Sequence, residues 1–267
     1  MKNLRENAPI LLFDSGLGGL TVLAELRALL PQAPVIYAAD LAGLPYGEKS
    51  EAEVAARVAG LLGRLAERYR PRLACIACNT ASTIALGMVR EVLEIPIVGT
   101  VPAVKPAALH TQTGTFGLIG TQATIRQRYV DDLERDFANG KSLLRIAAPH
   151  LVDEAEAKLR GKPVDMAVIE EAVQRLRDME GGDNIDAVVL ACTHFPLLRE
   201  ELGALFGKDV ALIDGADGIA RRIVNLLQGQ AFEQPAHNRF VVTGPLEGTQ
   251  GLEAALAERG FGSPEVF

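Results

Sequence analysis

The fold is decided by one stretch, Val188-Val189-Leu190-Ala191-Cys192-Thr193-His194-Phe195-Pro196. Its apolar run is too short for a helix and stops abruptly at a thiol, a hydroxyl and an imidazole. Pro196 suits the first turn of a following helix, where no backbone N–H is needed. The pattern predicts a parallel strand buried on both faces, delivering Cys192 to the carboxyl edge of a sheet, where open α/β folds place their ligand crevice. The same pattern occurs earlier, in Leu73-Ala74-Cys75-Ile76-Ala77-Cys78-Asn79-Thr80. Cys78 and Cys192 each end a strand and are each followed by small polar residues.

Working outward from these strands, Ile10-Leu11-Leu12-Phe13 is a further strand, running into Asp14-Ser15-Gly16-Leu17-Gly18-Gly19 and a helical pattern to Leu30. Val35 to Ala38 is a strand, Ser50 to Tyr69 a long Ala-rich helix stopped before Pro71, and Ser82 to Leu93 the helix after Cys78. The pattern restarts at Phe116-Gly117-Leu118-Ile119, followed by Gly120-Thr121 and a helix to about Phe137. Leu143 to Ala147 is the next strand, and Val164 to Met179 a helix. Strands alternating with helices predict parallel sheets with right-handed crossovers. The restart implies an internal duplication at a spacing of about 110 residues, far longer than a solenoid repeat. The expected architecture is therefore α/β, with two pseudo-symmetric βαβ lobes: residues 1–98 plus 214–267 in the first and 99–213 in the second. The active site is expected in a cleft between the lobes.

Composition narrows the partners. The chain has 267 residues, 48% hydrophobic and 23% charged, with a formal net charge of −7 and no run of Lys or Arg to neutralise phosphates. Nucleic acid is not expected as a partner. No apolar stretch reaches the roughly 18 residues of a membrane span. The first residues lead only to Ile10–Phe13, so no signal peptide is expected. Three cysteines without such a signal fit free thiols in a reducing cytoplasm.

A cysteine in an apolar strand is ordinarily a small buried hydrophobe, and Cys75 reads that way. Cys78 and Cys192 differ, because both are expected to begin a helix, whose N–H groups favour thiolate, and His194 lies two residues beyond Cys192. Cys75-Ile76-Ala77-Cys78 spells C-x-x-C, but an odd separation along a strand points the thiols to opposite faces, and no further Cys or His stands at zinc-site spacing. The glycine loop after Asp14 suggests nucleotide binding, with Asp40 as a ribose acid. However, Asp14 would repel a pyrophosphate, and no Walker lysine is present. Asp14 is open to a plain capping role or, with Ser15, to action on an amine. His110, His150 and His237 read as surface or loop residues.

Four blocks together carry a family resemblance: Phe13-Asp14-Ser15-Gly16-Leu17-Gly18-Gly19-Leu20, Pro45-Tyr46-Gly47, Ala77-Cys78-Asn79-Thr80-Ala81-Ser82 and Ala191-Cys192-Thr193-His194-Phe195-Pro196-Leu197. In order and over nearly the whole chain, these resemble glutamate racemase, within the cofactor-independent aspartate/glutamate racemases. The resemblance implies a two-base mechanism supplying D-glutamate for bacterial peptidoglycan. Cys78 would be the base toward D-glutamate and Cys192 the base toward L-glutamate. Asp14 and His194 would assist the thiols. A further glutamate is implied within Pro149-His150-Leu151-Val152-Asp153-Glu154-Ala155-Glu156, with Glu156 preferred by spacing over Glu154. Ser15, Pro45, Tyr46, Gly47, Asn79, Thr80, Thr121, Thr193 and His194, with Asp14, would hold the substrate's ammonium and carboxylates. No cofactor or metal is implied. A cytoplasmic enzyme is expected, with small-molecule L- or D-glutamate as partner and a homodimer as the candidate assembly.

The residues alone agree with that chemistry. Racemisation needs proton-transfer groups on opposite faces of one carbon, and two thiols in duplicated lobes supply them. An aspartate or hydantoin racemase, an amino-acid binding protein and a Cys192–His194 thiol hydrolase are the competing readings.

Overall fold

The computed structural model describes residues 8–232 and 237–267. The N-terminal segment on which the signal-peptide expectation rests lies outside the described residues. No described helix is long and apolar enough to cross a membrane. The chain forms two compact units, one of residues up to Thr100 together with Ala216–Phe267, the other Val101–Gly215.

In the first unit, six parallel strands carry the elements in between. β1 is Ile10–Asp14, α1 Leu20–Leu29, β2 Val35–Ala39, α2 Glu51–Tyr69, β3 Leu73–Ile76, α3 Asn79–Val92 and β4 Ile97–Gly99. The later chain adds α10 (Ala216–Leu226), β9 (Arg239–Val242), α11 (Glu253–Glu258) and β10 (Glu265–Val266). The sheet order is β10-β9-β2-β1-β3-β4, and every pairing is parallel. Leu11 and Phe13, Ile36 and Ala38, and Ala74 and Ile76 share one apolar cluster, the period of two that a strand dictates. α2 meets it with Val54, Val58, Leu61 and Leu65, spaced for one helical face. Ser50 caps α2 by accepting the Glu53 N–H, and the helix ends at Arg70 in the left-handed region before Pro71.

The second unit repeats the plan on a smaller sheet. It runs α4 (Val104–His110), β5 (Thr115–Gly120), α5 (Gln122–Arg126), α6 (Arg128–Phe137), β6 (Ser142–Ala147), α7 (Leu151–Leu159), α8 (Met166–Arg177), β7 (Ala187–Leu190), α9 (Arg199–Phe206) and β8 (Ala211–Ile213). Its order is β6-β5-β7-β8, again all parallel. The four strands β2-β1-β3-β4 of the first unit have the same arrangement, second-first-third-fourth. Val188 and Leu190 pack into one apolar cluster and Ala187 and Val189 into another. Burial on both faces is why this strand reads as an unbroken apolar run.

Several boundaries depart from expectation. α3 starts at Asn79 rather than Ser82, because Cys78 is itself the N-cap, its sulfur accepting the Ala81 N–H. The helix expected to run to Phe137 is two, broken where Gln127 takes an extended backbone. Within residues 149–156, to which the sequence pattern assigned no element, α7 begins at Leu151. The elements β8, α11 and β10 were not foreseen, being short and weakly periodic.

Ser82 locks the strand edge beneath Cys78. Its hydroxyl donates to the Ile76 carbonyl (2.9 Å) and accepts the Thr100 N–H (2.9 Å), tying β3 to β4. Ser82→Ala removes both bonds and leaves the Thr100 N–H only its longer bond to the Ile76 carbonyl (3.2 Å), so urea unfolding followed by circular dichroism should show a loss of about 0.5–1.5 kcal/mol. A loss below a few tenths would mean that the Ile76 carbonyl by itself holds the Thr100 N–H.

Candidate active site

The strand order changes direction between the first and third strands of each sheet, and both thiols stand at that switch point. The positioning bonds match. Ala77 N–H donates to the Phe13 carbonyl (2.7 Å), and Ala191 N–H donates to the Ile119 carbonyl (2.8 Å). One residue further on, Cys78 and Cys192 continue the side-chain parity of Ile76 and Leu190 and share their apolar clusters. Both are free thiols, 6% and 7% exposed. Cys75 is also free but fully buried; burial and the nearby Asp14 charge push its thiol far above the ordinary range. It is absent from the cluster that holds Ala74, Ile76 and Cys78.

In the first unit, Ser15 Oγ lies 3.4 Å from Cys78 Sγ and 3.4 Å from Asp14 Oδ1. Asp14 is fully buried and therefore reaches this thiol through Ser15. Its carboxylate accepts the N–H of Ser15 (2.7 Å) and of Gly19 (2.6 Å), with the Tyr37 hydroxyl 3.1 Å away. These bonds fold the glycine loop back on the tip of β1. Gly19 cannot carry a side chain, because a Cβ there would stand 2.8 Å from Ala77 Cβ and 2.9 Å from the Tyr37 hydroxyl. Tyr37 was not anticipated; a tyrosine in an apolar strand carries no signal until the sheet shows where its hydroxyl ends. Asn79 and Thr80 open α3 as buried polar residues, and Asn79 Oδ1 is sequestered without a hydrogen-bond partner. Such an acceptor is costly unless a ligand donates to it.

Pro45, Tyr46 and Gly47 form the loop after β2, with Pro45 exposed, Gly47 half-buried and Tyr46 1% exposed. The Tyr46 hydroxyl donates to Asp40 Oδ2 (2.6 Å). Asp40 is thus engaged inside the fold rather than offered to a ribose.

In the second unit, Cys192 does not begin an α-helix as expected. Thr193 and His194 turn into a 3-10 turn, Phe195–Leu198, with Pro196 in its first positions, and α9 starts only at Arg199. Pro196 cannot donate the N–H that an α-helix started at the thiol would need there. The imidazole takes the place of the helix terminus. His194 Nδ1 lies 3.9 Å from Cys192 Sγ, and Nε2 lies 3.1 Å from Glu156 Oε1. Glu156 also pairs with Arg160, one turn along α7. Glu154 points elsewhere, its carboxylate accepting the Asp165 N–H (2.7 Å). Thr121 is half-buried at the tip of β5, capping α5 by accepting the Thr124 N–H (3.2 Å), and Thr193 is buried. His110, His150 and His237 are exposed.

The charges of the second unit follow from this geometry. Burial by itself would lower the His194 pKa, but its bonds to Cys192 and Glu156 outweigh that and hold it well above the usual imidazole value. Burial would raise Glu156, yet His194 and Arg160 bring it below the usual carboxylate range. A protonated imidazole can thus donate to Glu156 and present Nδ1–H to the sulfur, an arrangement that favours thiolate.

The family follows from fold and motif together. The Asp/Glu/Hydantoin racemase family model matches residues 21–223, and the chain belongs to that family, an isomerase of the racemase class. Among its relatives, the glutamate racemase of Sphingopyxis alaskensis is 63% identical over 261 residues, spanning 97% of each chain. That of Vibrio cholerae is 42% identical over 259 residues, covering 97% of this chain and 96% of the relative. Escherichia coli glutamate racemase, solved with L-glutamate and the activator UDP-MurNAc-ala, superposes with a TM-score of 0.91 at 40% identity, covering 97% of this chain and 98% of that one. The Francisella tularensis enzyme in complex with D-glutamate gives 0.79 at 30% identity, covering 98% of each.

Because the folded pKa of His194 lies above its unfolded value, its charged form adds stability below about pH 6.5. That contribution is lost as pH rises through the raised folded value. In an NMR titration the His194 Cε1–H signal should show a midpoint above the ordinary imidazole value. Glu156→Gln should move its midpoint down. An unchanged midpoint would mean the carboxylate does not hold the charge.

Proposed function

We propose that this chain interconverts L- and D-glutamate without a cofactor, using Cys78 and Cys192 as two bases on one α-carbon. The observation that carries the reading is the repeated thiol: each unit sets one cysteine just past its third strand, beside the tip of its first. The similarity to glutamate racemases over nearly the whole chain supports glutamate as substrate.

In the direction from L-glutamate, the Cys192 thiolate takes the α-proton, leaving a thiol and a planar carbanion. Cys78, as thiol, gives a proton to the opposite face and becomes thiolate. In the reverse direction the roles exchange. Each turnover therefore swaps the protonation of the pair, which should titrate as a coupled unit. His194, held by Glu156, supports the Cys192 thiolate. Ser15, backed by Asp14, and the Ala81 N–H support Cys78. The α-proton is very weakly acidic, so the carbanion's carboxylate needs preorganised donors. Ser15, Thr80, Thr121, Thr193 and the loop Pro45–Gly47 are assigned to the carboxylates. The unsatisfied Asn79 Oδ1 is assigned to the ammonium. We assign D-glutamate to peptidoglycan synthesis in the cytoplasm, with a homodimer as the candidate assembly.

Proton NMR of L-glutamate with the enzyme in D₂O tests this directly. The α-proton signal should vanish as D-glutamate appears, and both Cys78→Ser and Cys192→Ser should lower racemisation by at least about 10³-fold, the scale of losing a proton-transfer group. Exchange of aspartate alone would keep the mechanism and change the substrate. Cys192, His194 and Glu156 also line up as a thiol hydrolase would need, and an activity indifferent to Cys78→Ser would favour that reading.

A further inference from the structure

Asp40 stands one residue beyond β2, fully buried, its N–H donating to the Asp14 carbonyl (2.8 Å). Donors from three separate parts of the first unit converge on its carboxylate. Tyr46 donates its hydroxyl, α2 contributes the Arg57 fork through Nε and Nη2, and Thr243, just past β9, donates its hydroxyl. Burial would raise the Asp40 pKa, but Arg57, Thr243 and Tyr46 together outweigh it and hold the group ionised. Thr243 Oγ1 also accepts the Ala42 N–H (3.1 Å), so the segment leading to Pro45 is gripped as well.

Gly43 marks how closely this assembly is packed. A Cβ there would run into Asp40 Oδ2 and Arg57 Nε and would stand 2.9 Å from Tyr46 Cε1. At the far end, the Tyr46 ring shares a buried cluster with Phe13 and Cys78. Burial, together with the hydroxyl proton's commitment to Asp40, raises the phenol well above its usual range and keeps it neutral beside the thiol. The network therefore governs where Tyr46 sits, not a proton that Tyr46 could give away.

We infer that Arg57 and Thr243 are positioning residues for turnover, acting through Asp40 to hold Tyr46 and the Pro45–Gly47 loop against Cys78. This rests on the reading of Cys78 and that loop as parts of the glutamate site. An ion pair serving stability alone would leave substrate affinity and thiol access untouched when loosened.

Thr243→Val keeps the side chain's size and removes its hydroxyl, Thr243→Ser restores the hydroxyl, and Arg57→Lys keeps charge without the fork. For each, KM and kcat are measured with both enantiomers. Alkylation of Cys78 and of Cys192 by iodoacetamide is followed by peptide mass in the same sample. Thr243→Val and Arg57→Lys should raise KM about three- to tenfold, the scale of one lost hydrogen bond, with a smaller change in kcat. Cys78 should alkylate severalfold faster, Cys192 at the unmodified rate, and Thr243→Ser should resemble the parent. Parent-like KM and Cys78 reactivity with a lowered melting temperature would overturn the inference and leave the network a stability feature. If the parent enzyme fails to exchange the glutamate α-proton, the substrate reading falls, and the alkylation rates alone decide: an unchanged Cys78 rate in Thr243→Val and Arg57→Lys overturns the clamp.

Discussion

Parallel pairing between the first and third strands is the constraint on which each unit depends. The bonds from Ala77 to Phe13 and from Ala191 to Ile119 fix where the third strand ends relative to the first. Because side chains alternate with a period of two, that register also fixes which face Cys78 and Cys192 take. A slip of one residue would exchange Cys78 with Ala77 and aim a methyl group where the thiol stands. The apolar strands and the buried helix faces of α2 and α3 hold the register by making every alternative expose core.

From that common frame the two thiols are served differently. Cys78 caps α3, so the Ala81 N–H and the Ser15 hydroxyl meet its sulfur. Cys192 lies before a 3-10 turn, and a buried imidazole backed by a carboxylate and a guanidinium takes over. One environment relies on fixed dipoles, the other on a titratable charge. The same backbone plan thus presents two thiols in electrostatically different surroundings.

The buried polar groups sort by what satisfies them. Asp14 is consumed by the loop it folds, and Asp40 by Arg57, Thr243 and Tyr46. Asn79 Oδ1, equally sequestered, has no such partner. Among the described residues, Arg27, Tyr69 and Asp186 each also leave one buried polar atom open. Asn79 is the one that adjoins Cys78, which is why we assign it a donor from outside.

The sequence by itself determined the α/β class, the parallel sheets and the two thiol-bearing strands, because these follow from local periodicity and from apolar runs ended by polar residues. It also placed Asp14, Ser15, Tyr46 and His194 in recognisable blocks. Only the tertiary structure decided which distant groups meet. Glu156 rather than Glu154 faces His194, because two positions along α7, about 200° around its axis, point the one inward and the other toward Asp165. Tyr37 reaches Asp14, and Arg57 and Thr243 reach Asp40, across separations that no local pattern encodes. The missing α-helix start at Cys192, by contrast, has a local cause, since Pro196 lacks the N–H that a helix begun at the thiol would need. Strand identity is written in neighbours along the chain, whereas a charge network is written in neighbours through space.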